Sequence, residues 1–159
     1  MSESLRQFLL NEIRQFVESA SQLDGLSRIA LVGSLVTEKE NPKDADILIT
    51  ISESTDIDSL VALGRKLKGH AQSRNSGADI FLCNSIGEYL GRTCSYKDCH
   101  PRMACHGHQC IFGTRICNDL DNLNLNGRLI QNPPLELWPA IVKRKQIPQD
   151  VESILIDKL

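Results

Sequence analysis

The sequence lacks any apolar run near the roughly 18 residues that would suggest a membrane span, and its first twenty residues show no basic start followed by an apolar stretch of the secretory kind. Charge of one sign is also missing. Eighteen Lys and Arg stand against 20 Asp and Glu, a net of -2, so no global attraction to nucleic acid or anionic lipid is expected, and any such attraction has to be local. Internal repeats and low-complexity segments are absent, which excludes solenoid and linker-like architectures. What remains is an ordinary globular composition, 41% hydrophobic and 24% charged, over 159 residues, the size of one domain with a real core. The expected location is the cytoplasm. Thiols stay reduced there, so the six cysteines read as metal ligands or small buried residues rather than disulfides.

Leu5, Leu9, Ile13, Phe16, Val17 and Ala20 recur at helical spacing behind Ser4 and Gln7, which are arranged as a capping box. An amphipathic first helix over residues 5–20 follows, with Asp24-Gly25 to end it. Residues 28–32 and 47–51 are short β-branched-rich runs. Asp56 can cap a helix over residues 57–67 whose Ile57, Leu60, Val61, Gly64 and Leu67 share one face, and residues 79–83 form a third strand. The order helix, strand, strand, helix, strand predicts an α/β or α+β core, a small mixed sheet flanked by helices, over residues 1–90. Residues 91–118 crowd cysteine, histidine, arginine and glycine together, and residues 119–159 form a C-terminal extension rich in Asn, Pro and turn residues. Both read as irregular. A last helix over residues 148–159 would turn Val151, Ile154 and Leu155 inward.

Asp44 and Asp46 stand at the entrance of the second strand. Two positions apart on extended backbone, they point to the same face about 6 to 7 Å from each other. A third carboxylate converging there would cost on the order of 4 kcal/mol for each pair of bare charges about 4 Å apart at an effective dielectric of 20, so the cluster calls for cations. Oxygen-only ligands favour Mg²⁺ or Mn²⁺ over zinc. Gly33-Ser34, closing the first strand, allows close backbone approach and offers a hydroxyl and free N–H groups to phosphate oxygens.

An apolar strand, Gly-Ser, nine residues, then Asp-x-Asp entering the next strand resembles the DNA-polymerase-beta-like nucleotidyltransferase superfamily, in particular its minimal members. The matching residues are Gly33, Ser34, Asp44 and Asp46, and the likeness covers residues 29–83. It implies a third metal-binding carboxylate on a later strand, for which Asp79 in "GADIFLC" is the candidate, and transfer of a nucleoside monophosphate from a triphosphate by two Mg²⁺ ions. Minimal members often carry an arginine just after Gly-Ser. Here Leu35-Val36-Thr37 follow, so the triphosphate contact is expected from Lys39, Lys43 or a residue outside the motif.

"CSYKDCHPRMACHGHQC" holds Cys94, Cys99, His100, Cys105, His106, His108 and Cys110 within seventeen residues. Cys94/Cys99 and Cys105/Cys110 sit at the wide end of structural zinc spacing, not the tight C-x-x-C form. One structural zinc held by the four cysteines, with a histidine able to replace one of them, would help fold a segment poor in apolar residues. Cys83 reads as buried filler in an apolar strand, and Cys117 is left unassigned. Arg92, Lys97, Arg102 and Arg115 against Asp98 make a local basic patch able to touch a nucleotide, a nucleic acid or a protein. His70 reads as a helix-end surface residue and Trp138 as a packing anchor.

Three functions compete. The first is a Mg²⁺-dependent nucleotidyltransferase acting on an unknown acceptor hydroxyl of a protein, RNA or small molecule. The second is a non-catalytic regulatory or antitoxin-like module of the same fold with a protein partner. The third is a zinc-dependent nucleic-acid binder whose aspartates are structural.

Overall fold

A computed structural model describes residues 3–93, 116–117 and 126–159. The first helix, α1, runs Leu5–Ala20. Its start is fixed as the sequence predicts: the Ser4 hydroxyl accepts from the Gln7 N–H at 3.1 Å, and the Gln7 side chain accepts from the Ser4 N–H at 2.9 Å. These bonds satisfy donors that the first turn leaves without intrahelical partners. After the helix the chain turns through Gly25 at φ +87°, where a Cβ would crowd the Thr55 backbone at 2.6 Å.

Strand β1 (Arg28–Val32) leads into a single 3₁₀ turn, Gly33–Val36, and β2 spans Asp44–Thr50. Helix α2 (Ile57–Gln72) begins at Asp56, whose carboxylate accepts from the Ser59 N–H at 3.1 Å. Strand β3 (Gly77–Cys83) starts two residues earlier than its β-branched run suggests. The chain then adds β4 (Tyr89–Thr93), β5 (Ile116–Cys117), the short helix α3 (Gly127–Gln131), β6 (Leu135–Trp138) and β7 (Val142–Lys143). Among the described residues, the part expected to be irregular thus completes β4 and supplies β5, β6 and β7. The closing helix occupies nearly the span the periodicity predicts, residues 149–158, but is irregular: a wide π turn, Val151–Leu155, continues into a tight 3₁₀ turn, Ile156–Lys158. Val151 and Leu155 are buried there, and Ile154 packs at the edge of the core.

Among the described residues the strands form one sheet in the order β5-β4-β3-β2-β1-β6-β7. The pair β2/β3 is parallel, with α2 as the crossover, and the other pairs are antiparallel. The protein is thus a small α/β fold built on a mixed sheet. Side chains alternate along each strand. Ile29, Leu31, Ile47, Ile49, Ile80, Leu82 and Leu135 enter the main core with Leu9, Leu10, Ile13 and Leu60 from the two long helices. Each such fully buried aliphatic contributes about 1.5 to 3 kcal/mol. The opposite face carries a smaller apolar cluster of Ala30, Val32, Leu48, Phe81, Cys83 and Ile130. Cys83 is buried, as expected of a filler, and the Thr50 hydroxyl lies 3.2 Å from its Sγ. Among the described residues no helix is long and apolar enough to cross a membrane.

Candidate functional site

The sheet register decides where the carboxylates meet. Asp44 and Asp46 lie on β2, on the face away from α1 and α2, since Ala45 and Ile47 between and after them enter the main core. Parallel pairing then sets Asp46 directly beside Asp79 and Asp44 beside Gly77. Antiparallel pairing with β1 sets Val32 beside Asp46 on the other side. Neighbouring strands lie about 4.8 Å apart. At an effective dielectric of 20, two charges at that separation repel by roughly 3 to 4 kcal/mol. All three aspartates named from the sequence thus share one face and one end of the sheet.

Two glycines make room for them. Gly33 adopts φ +78°, and a Cβ added there would overlap Oδ2 of Asp46 and lie 3.1 Å from its Cβ and Cγ. The turn after β1 is therefore packed on the Asp46 carboxylate, a closer relation than the spacing alone implies. A Cβ at Gly77 would overlap Oδ1 of Asp44. The role of Gly77 had no signal in the sequence, because it depends on the residue opposite in a parallel pair.

The turn itself is held from behind. Leu35 and Val36 are buried, and the Thr37 N–H and hydroxyl both donate to the Ser34 carbonyl, at 3.0 and 2.6 Å. Arg6 of α1 donates to the carbonyls of Leu35 at 3.0 Å and Lys39 at 2.8 Å, and grips Asp150 with its remaining donors. Lys39 and Lys43 are exposed on the loop that returns to β2.

Burial is the largest influence on Asp46, followed by the charges of Asp79 and then Asp44; together they push its carboxyl up to about 7. This is the expected behaviour of an acid that shares a partly dry surface with others of its sign. Asp79 has a counter-charge. Arg92 on β4 stands beside Phe81 in register and reaches diagonally to Asp79, Nη1 to Oδ1 at 3.3 Å. Sequence reading placed Arg92 only in a diffuse basic patch; its strand and its face follow from a pairing that composition does not announce.

The donor set suits a hard divalent cation in chemistry, because every carboxylate offers oxygen. Among the described residues, however, no three His, Cys, Asp or Glu side chains are gathered into a preformed cage. The fit is one of ligand type, register and electrostatics, with side-chain rotation needed to close it. The larger clefts lie elsewhere. One of about 730 Å³ beside Ile51, Ser54, Asn84 and Leu90 and one of about 370 Å³ beside Arg28, Thr50 and Gly87 are at the other end of β2 and β3. They carry no comparable group of ionisable residues, so the carboxylate face is the better candidate.

The proposed zinc ligands Cys94, Cys99, His100, Cys105, His106, His108 and Cys110 lie outside the described residues. A comparison with protein families matches residues 1–101, well over half of the chain, to DUF6932, a family of unknown function. That span contains the glycine turn, all three aspartates and Arg92, and ends before β5. No curated protein matched, and no solved structure did.

Proposed function

The chain belongs to DUF6932, a family of unknown function, and we propose that it is a nucleotidyltransferase, moving a nucleoside monophosphate from a triphosphate to an acceptor hydroxyl with Mg²⁺ or Mn²⁺. One observation carries the reading: Asp46 and Asp79 are register partners on parallel strands, with Asp44 on the same face and Gly33 packed against Asp46. Three acids placed together at a structural cost, next to a turn that brings backbone close, suit binding of a cation and a polyphosphate better than they suit stability.

In this reading Asp44, Asp46 and Asp79 would hold the cation. When bound, a divalent cation supplies positive charge to the incoming and departing oxygens of phosphoryl transfer. The chain's own residues bind and orient. Gly33 and Ser34 let phosphate oxygens approach the end of β1, Lys43 contributes charge from the loop, and Asp79 on β3, between β2 and β4, faces the acceptor. The acceptor is a protein, RNA or a small molecule, bound with help from the second half of the chain or from a partner.

A second reading, a non-catalytic nucleotide-binding module, is favoured by the engagement of Asp79 with Arg92 and by the lack of a gathered cage among the described residues. Calorimetry with each of the four nucleoside triphosphates, with Mg²⁺ and with Mn²⁺, tests both. Label from α-labelled triphosphates is then sought on the protein, on RNA and on candidate acceptors. Asp44→Asn should abolish transfer while the protein stays folded. If no triphosphate binds, the nucleotide reading is wrong; cation-dependent binding without transfer to any acceptor selects the module.

A further inference from the structure

We infer that a cavity at the far end of the sheet from the three aspartates, built around Arg28, takes the carboxylate of a small aliphatic acid. The inference is independent of the nucleotidyltransferase reading and starts from strand register. Arg28 opens β1 opposite Thr50, which closes β2, and Thr50 in turn pairs with Cys83, the last residue of β3. Arg28 shares the parity of Ala30 and Val32, so it stands on the face of the smaller apolar cluster. Asp46 is on that face too, but lies about 13 Å away along the strands. From its end of the sheet the Arg28 side chain reaches α3. Nη2 donates to the Ile130 carbonyl and lies 3.9 Å from Cys83 Sγ, and Nη1 donates to the Gln131 carbonyl at 3.4 Å.

These contacts leave the guanidinium under-used. Nε–H is buried with no partner at all, and the second N–H of Nη1 is unspent, since that nitrogen makes a single, solvent-exposed bond. Among the described residues no carboxylate meets Arg28: its partners are two main-chain carbonyls and a sulfur. A half-buried charge is ordinarily paired. Holding the end of α3 accounts for the two carbonyls but not for the space beside them. Arg28 lines a cavity of about 370 Å³, within the range of small-molecule sites, together with Asn84, Ser85, Ile86, Ile130 and Gln131. Its chemistry is that of an acid group on an apolar body. The guanidinium gives a carboxylate oxygen a charge-assisted hydrogen bond, and the Ser85 hydroxyl and Gln131 amide are neutral donors beside it. Ile130 and Ile86 supply apolar contact. Ile86 is 74% exposed, yet its turn is fixed: Asn84 Oδ1 accepts from the Ile86 N–H at 3.2 Å and the Glu88 N–H at 2.9 Å. Among the described residues the lining offers one cation and no helix N-terminus, which suits a monoanion, and so a carboxylate in preference to a phosphate.

The test follows backbone amide NMR signals of the full-length protein at neutral pH during titration with hexanoate, hexanamide or inorganic phosphate. Wild type is compared with Arg28→Gln and Ile86→Ser. Hexanoate should shift the Gly87 and Gln131 signals saturably and leave that of Asp46, at the other end of the sheet, in place. Hexanamide has the same body without the charge and should bind about 10-fold more weakly or worse, the scale of one charge-assisted hydrogen bond. Arg28→Gln should lose the preference for acid over amide. Because Arg28 also holds α3, the exposed Ile86 provides a second variant: Ile86→Ser should keep the fold and weaken hexanoate and hexanamide alike. The inference is overturned if hexanoate gives no saturable shift at Gly87 and Gln131, if acid and amide bind wild type equally, or if phosphate binds as tightly as hexanoate. Folded Arg28→Gln that still prefers the acid, or Ile86→Ser that binds as wild type does, would overturn it as well. Each of these results leaves the nucleotide titrations to be judged on their own.

Discussion

Arg6 and Asp150 meet in a two-pronged ion pair across 144 positions of sequence, Nε to Oδ2 at 2.7 Å and Nη2 to Oδ1 at 3.0 Å. The same guanidinium holds the Leu35 and Lys39 carbonyls, so one buried side chain ties the start of α1, the loop after the glycine turn and the C-terminal segment together. Arg6→Ala should destabilise the fold by about 3 kcal/mol, because it strands a carboxylate and two carbonyls at once. Hydrogen bonding to Arg6 is the main cause that holds the Asp150 carboxyl below its ordinary value of 3.8. A depressed acid stabilises the fold above its unfolded value and loses that contribution as pH falls through its folded one. Urea unfolding should therefore show wild type losing more stability below about pH 4 than Asp150→Asn does.

Asp46 gives the opposite sign. Its carboxyl is raised from 3.8 to about 7 in the folded protein, so between those values the folded state keeps a proton that the unfolded chain has released. Stability of the metal-free protein should fall as pH rises across that window. Thermal unfolding at about pH 5 and about pH 8 should show it, and Asp46→Asn should flatten the difference. Added Mg²⁺ should raise the wild-type midpoint at the higher pH by mass action and leave that of the variant nearly unmoved.

Gly33→Ala joins two penalties. A left-handed backbone costs a non-glycine residue roughly 1 to 2 kcal/mol, and the new Cβ would displace the Asp46 carboxylate. Unfolding stability should drop by at least that amount, and Mn²⁺ binding should weaken with it. Gly77→Ala separates the two effects, because its Cβ would meet Asp44 without the positive φ. It should weaken the cation with a smaller loss of stability, as parallel titrations of both variants would reveal.

Zinc is a separate expectation, drawn from the density of Cys94, Cys99, Cys105 and Cys110 and the histidines among them. Elemental analysis of untagged, reduced protein should find close to one zinc per chain. The double variant Cys94→Ser, Cys99→Ser should lose it. Folded protein without stoichiometric zinc would end the idea.

Local signals were legible in the sequence where they act locally. Ser4 with Gln7 and Asp56 with Ser59 cap helices within one turn of themselves, and the two-residue spacing of Asp44 and Asp46 already puts them on one face. Strand β6 shows the limit. Leu135 and Leu137 alternate with Glu136 in the expected strand pattern, but Pro133, Pro134 and Pro139 bracket four residues, and turn chemistry outweighs so short a run. Its stability comes from β1 alongside it. The same holds for Gly77 and Arg92: each has meaning only through the residue across the strand, and register between distant segments is set by the packed sheet.

Strand β1 lies inside the sheet, yet its two neighbours enter the chain at very different times. β2 follows after a connection of eleven residues, whereas Ile29, Ala30 and Leu31 pair on their other side with Trp138, Glu136 and Leu135, roughly a hundred residues later. At ribosomal rates of about 5 to 20 residues per second, that interval is about 5 to 20 s. Throughout it the nascent protein carries one bare row of N–H and C=O groups along an apolar strand, the feature that recruits chaperones and invites association with other chains. Ending synthesis at the matched family span, residue 101, would make that transient edge permanent.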